Sequence, residues 1–265
     1  MKSKALLRLL SMFLGSVLCL LPSTASAQPG WAPRWTFFDP ATNGWPFPND
    51  RFKVCVAPTC IPENTVGAFG HQFLEARWAL CGGMSLSALR RFKEGTNIEP
   101  YSASLKDHEL IPAQLKVVAE YGDTFVEWDA RPDVGHLTDI HSMRDLTKKE
   151  WWTVKAAIDK GAPIMLGLIL VKQTYDPTKI FDNHVVLAVG YSYNDSTQDA
   201  KIYVYDSKDP ENVDTISVHV GDGPLGLSDT LKDSVFRGFF AMSLDSGPPG
   251  APPAAYSVPV DMALH

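Results

Sequence analysis

Basic residues are in short supply in this chain. Lys and Arg total 24 against 30 Asp and Glu, a formal charge of −6 at pH 7. That balance excludes the basic footprint by which proteins hold nucleic acid or anionic lipid through bulk charge. Cysteine is scarce too, with four in 265 residues, which excludes a small fold stapled by many disulfides. There is no H-E-x-x-H and no paired C-x-x-C, and His136 and His141 stand at a poor spacing for one helical face. No metal site is expected from these patterns. A phosphate-binding glycine loop is missing, and no cofactor is expected. The G-x-S-x-G pattern of serine hydrolases fails at its last position, Ser87. After Leu21 no apolar run is long enough to cross a bilayer. What is there is 45% hydrophobic and 20% charged, the composition of an ordinary globular domain.

The first 27 residues read as a secretory signal peptide. Lys2, Lys4 and Arg8 precede an apolar stretch from Leu9 to Leu21, and Ala25-Ser26-Ala27 offers a small-x-small cleavage site. Cleavage after Ala27 leaves 238 residues and takes the charge to −9, since three basic and no acidic residues depart. The mature protein is expected to be secreted or periplasmic, with no stable membrane insertion. Residues 28–50 hold three tryptophans and several prolines and read as an irregular arm packed on a domain. Their composition also fits a removable pro-segment. Residues 246–265 begin as a Pro-rich stretch and read as a mobile tail. The folded body is therefore residues 51–245, within the size of one domain.

Within that body the periodicity changes character. Cys81–Lys93 has Cys81, Met84, Ala88, Leu89 and Phe92 on one helical face. Further helices are expected near Ile111–Tyr121 and Thr147–Lys160. Pro163–Val171, His184–Tyr191, Lys201–Tyr205, Thr215–Val220 and Phe236–Leu244 are rich in β-branched, aromatic and aliphatic residues and read as strands. Helices first and antiparallel strands last imply an α+β fold.

Three cysteines remain in the mature chain: Cys55, Cys60 and Cys81. Cys55 and Cys60 are close enough to form a disulfide, and that pairing leaves Cys81 odd; the other two pairings stay open. An odd thiol in an exported chain suggests an intermolecular bridge or a reactive group. Cys81 opens a helix, where the dipole and the unpaired N–H groups favour a thiolate. Gly82 and Gly83 would let a substrate carbonyl approach the backbone, and the Cys81 N–H would then help to hold an oxyanion. His184 opens one strand and Asp206 closes another, with a polar turn between them. A hairpin centred on Asp195 sets His184 directly opposite Asp206, so the carboxylate can orient the imidazole.

These segments resemble the papain-like cysteine peptidase superfamily. W-A-L-C-G-G-M-S at 78–85 is similar to its nucleophile helix, N-H-V-V-L-A-V-G-Y at 183–191 to its histidine strand, and I-Y-V-Y-D-S at 202–207 to the strand ending in its third catalytic residue. An Asp in that last place is closer to the bacterial branch with Cys-His-Asp triads. The resemblance implies a papain-like fold, with helices carrying the nucleophile packed on a C-terminal antiparallel sheet. It implies Cys81 as nucleophile, His184 as general base and then acid, Asp206 as orienter and Gln72 as oxyanion-hole candidate. The implied activity is hydrolysis of a peptide or other amide bond. Acyl transfer of the transglutaminase kind uses the same triad. A non-catalytic secreted binding protein on the same scaffold is the alternative outside enzymology.

Overall fold

The computed structural model describes residues 32–49, 54–56, 59–61, 80–133, 142–231 and 236–244. The signal peptide, the Pro-rich tail, Gln72, His136 and His141 lie outside the described residues.

The helix that Cys81 opens, α2, runs Cys81–Glu94 and follows a short helix α1 at Pro40–Asn43. A one-turn helix α3 at Ala103–Leu105 leads through a π-helical segment, Lys106–Leu110, into α4, Ile111–Asp129. The Ser102 hydroxyl caps α3 by accepting from the Leu105 N–H at 3.0 Å. The π turn sits directly before Pro112, which lacks the N–H that a regular helix would use there. Helix α4 is longer than the expected Ile111–Tyr121. Gly122 weakens a helix by about 1 kcal/mol, but Phe125 and Trp128 beyond it are buried against Phe240. Each such burial is worth roughly 1.5–3 kcal/mol, so packing carries the helix past the glycine. Helix α5 spans Met143–Asp159, one turn earlier than expected at its start, because Ser142 caps it.

Among the described residues nine strands complete the architecture: β1 Arg34–Trp35, β2 Val54–Val56, β3 Thr59–Ile61, β4 Ile164–Ile169, β5 His184–Asn194, β6 Asp199–Tyr205, β7 Val213–His219, β8 Ser228–Asp229 and β9 Gly238–Met242. Seven form one antiparallel sheet, ordered β8-β7-β6-β5-β4-β9, with β1 added to β5. The expected strands are all present with trimmed or extended ends. Helices precede an antiparallel sheet, and the class is α+β.

Strand β5 is buried through its first nine residues because both faces of the sheet are covered. Val185, Leu187 and Val189 join a core with Met84, Leu86, Val117 and Phe125 from α2 and α4. Val186 and Ala188 point to the other face, where they meet Trp151, Val154 and Ile158 of α5. The alternation of strand side chains thus splits the core into two clusters.

The segment expected to be an irregular arm is built into this body. Strand β1 pairs with β5 through Arg34–Tyr191 and Trp35–Gly190. Trp35 stacks on Tyr203 with ring centroids 4.5 Å apart. Gly190 makes room for it, since a Cβ there would lie 2.5 Å from the indole. Trp45 is fully buried; its backbone N–H donates to the Tyr205 hydroxyl at 2.9 Å and its indole N–H to the Met84 carbonyl at 3.1 Å. In the small β2–β3 ladder, Cys55 and Cys60 are directly opposed. Their side chains lie outside what is described, so the expected disulfide gains only this backbone register.

Candidate active site

Helix α2 is aimed at the start of β5. Cys81 is its first residue and is a free, buried thiol. Leu80, at the N-cap position, has no side chain able to cap. Two distant side chains do that work instead. The Gln114 Oε1 accepts from the Gly83 N–H at 2.8 Å, and the Asn49 Oδ1 accepts from the Leu80 N–H at 2.6 Å.

The glycine pair has a packing reason. A Cβ on Gly83 would lie 2.3 Å from the Leu110 carbonyl oxygen, and one on Gly82 would lie 3.0 Å from Gln114 and Val117. These glycines let α2 pack closely on the π segment and α4.

His184 and Asp206 meet, though not by the expected pairing. Leu187 faces Tyr205 and Ala188 faces Val204, with an irregularity before Gly190–Tyr203. Continued past the end of β6, this register sets Asp206 level with Val186, not His184. The offset is two residues, which is even, so both side chains stay on one face as diagonal neighbours. The His184 Nε2 lies 2.8 Å from the Asp206 Oδ1. The same Asp206 oxygen accepts from the Lys208 N–H at 2.8 Å, which holds the carboxylate in a tight turn.

The Cys81 thiol is hydrogen-bonded to the His184 side chain and accepts from the Val185 N–H. With Nε2 on Asp206, the ring nitrogen left for the thiol is Nδ1. His184 and Asp206 are 2% and 1% exposed, and Cys81 is 7% exposed. Burial by itself would push the Cys81 thiol up, but the charge and hydrogen bond of His184 outweigh it and hold the thiol below its ordinary value. Burial would likewise lower His184. The charges of Asp206 and then Cys81 overcome that and raise the imidazole to about 9. For Asp206, burial opposes ionisation, and the His184 charge prevails, so its carboxyl is held low. These shifts favour a thiolate–imidazolium–carboxylate row over a neutral thiol and imidazole. Such a row can attack a carbonyl carbon with sulfur and deliver a proton to a leaving group.

Two residues that position this row, Asn183 and Asn49, were not foreseen. Asn183 Oδ1 accepts from the Leu170 and Val171 N–H groups at 2.9 and 3.3 Å, while its Nδ2 donates to both oxygens of Asp129 at 3.0 Å. It anchors the residue before His184 to β4 and to the end of α4. Asn49 ties the arm to the helix start, as described above. Only Asn183 had a sequence signal, its place beside the histidine. Among the described residues no group of three His, Cys, Asp or Glu is arranged to hold a metal, and no helix is long and apolar enough to cross a membrane. Comparison with protein-family models, curated proteins and solved structures finds no match to this chain.

Proposed function

We propose that the chain is an exported papain-like cysteine hydrolase that cleaves a peptide or other amide bond. The observation that carries this reading is the Cys81–His184–Asp206 row, a thiol at a helix start bonded to an imidazole whose other nitrogen is 2.8 Å from a buried carboxylate. The order of the three along the chain and their placement on a helix and adjacent antiparallel strands support the same superfamily.

In this mechanism the Cys81 sulfur attacks the carbonyl carbon and the carbonyl π pair moves onto oxygen. Re-formation of the carbonyl breaks the C–N bond, and the imidazolium of His184 gives its proton to the leaving nitrogen. His184, now neutral, takes a proton from water as the hydroxide attacks the thioester carbon. Collapse releases the acid and regenerates the sulfur–imidazole pair. Asp206 keeps the ring oriented and stabilises its charged form.

The test is a mixed peptide library incubated with the purified mature protein and with Cys81→Ala. New termini should appear only with the wild type, and His184→Ala should lose at least 10²-fold in rate. Cleavage that persists in Cys81→Ala would overturn the proposal.

A further inference from the structure

Asn49 is the arm side chain that bonds the residue before the thiol. Its Oδ1 accepts from the Leu80 N–H at 2.6 Å, and its backbone N–H donates to the Ser207 carbonyl at 2.6 Å. It therefore bridges the residue before the thiol and the residue after the carboxylate. Asn49 is 9% exposed, and its Nδ2 is fully buried with no hydrogen-bond partner among the described residues. A buried donor without an acceptor is costly and rare in folded proteins, and such groups concentrate where chemistry supplies the acceptor. Covalent geometry keeps Nδ2 within about 5 Å of the Leu80 nitrogen, because Oδ1 and Nδ2 share one carbon. The free donor thus lies near the Leu80 nitrogen, one residue before the thiol. Its orientation is set, since Oδ1 and the backbone N–H are both held.

Resting on the hydrolase reading, we infer that the Asn49 carboxamide is an oxyanion-hole donor: Nδ2 donates to the oxygen that becomes negative when Cys81 attacks a carbonyl. The Cys81 N–H, in the first turn of α2, is the second donor. Both donors are fixed before substrate arrives, the arrangement in which such groups stabilise a transition state most effectively. Asn49 belongs to the arm, so the arm supplies a catalytic group and is part of the working enzyme.

The test compares two reactions of the same sulfur. Iodoacetamide alkylates Cys81 by displacement at a saturated carbon and forms no oxyanion. p-Nitrophenyl acetate acylates Cys81 through a tetrahedral oxyanion and releases p-nitrophenolate. Limiting rates are measured at a pH where the thiolate is fully formed, with Cys81→Ser as background. The variants are Asn49→Ala and Asn49→Asp; the second keeps an oxygen for the Leu80 N–H, removes the donor and adds a carboxylate, while the first removes the donor without adding charge. The ratio of acylation to alkylation should fall about 10²-fold in both, with Gln72→Ala measured beside them. A fall of less than ten-fold in Asn49→Asp would overturn the inference. A purely structural role lowers both rates together and leaves the ratio unchanged, which counts as the same refutation. Failure of the wild type itself to acylate above the Cys81→Ser background would instead refute the hydrolase reading, with no Asn49 variant involved.

Discussion

The thiol and the imidazole shift in opposite directions, the thiol down and the imidazole up. His184 sits near 9, because Asp206 and Cys81 outweigh the effect of burial. A histidine raised in this way adds stability below its ordinary value of about 6.5, and that contribution is lost as pH rises through about 9. The expected outcome is that the difference in thermal midpoint between wild type and His184→Ala is larger at pH 6 than at pH 10, where only the pH-independent packing of the ring remains. Calorimetry across that range checks it. Cys81, His184 and Asp206 were each legible in the sequence, because a thiol opening an amphipathic run and polar residues closing apolar strands are local patterns. Asn49 was not, since its meaning comes from partners 31 and 158 positions away.

Strand β5 presents His184, and it is anchored at that end by Asn183. Asp129, which accepts both of the Asn183 amide bonds, is buried. Burial raises its carboxyl to about 6, with the Asn183 bonds and the charge of Arg237 offsetting part of that effect. A carboxyl raised in the folded state stabilises the protein below its unfolded value of about 3.9, and that contribution is lost as pH rises through about 6. Wild type should therefore lose stability between pH 4 and pH 7 relative to Asp129→Asn, as denaturant midpoints at the two pH values will show. An unchanged difference between them would contradict this account of the strand's anchor. The strands themselves were readable from their composition. The His184–Asp206 pairing was read with the wrong register, because the irregularity between Ala188 and Gly190 and the longer turn both shift the hairpin. The contact survived since the error was even. The packing role of the glycine pair was not legible, because Leu110 beside Gly83 and Gln114 and Val117 beside Gly82 come from other elements.

Considered as a body, the protein is a seven-stranded antiparallel sheet with helices on both faces, clasped by its own N-terminal segment. Composition and the order of helices before strands made the α+β class readable. The clasp was not, because Trp- and Pro-rich sequence has no period, and its contacts are set by what it lies against. Trp45 closes the clasp between Tyr205 and Met84. Trp45→Ala should cost about 3–5 kcal/mol, the usual loss for a fully buried tryptophan, measured by urea unfolding. A cost below about 1 kcal/mol would mean that the segment lies on the body without holding it. A pro-segment whose removal leaves this body intact is hard to reconcile with a fully buried Trp45 and a strand paired to β5. The active form should retain residues 34–49.

The central claim is an activated Cys81, and the alkylation rate of that residue against pH tests it most directly. Iodoacetamide labelling of the purified mature protein, with the site assigned by mass spectrometry, should show reactivity that persists well below the free-thiol value of about 8.5. His184→Ala should return the profile to that of an ordinary thiol. A wild-type profile that follows the free thiol, or a Cys81 found in a disulfide with Cys55 or Cys60, would contradict the account.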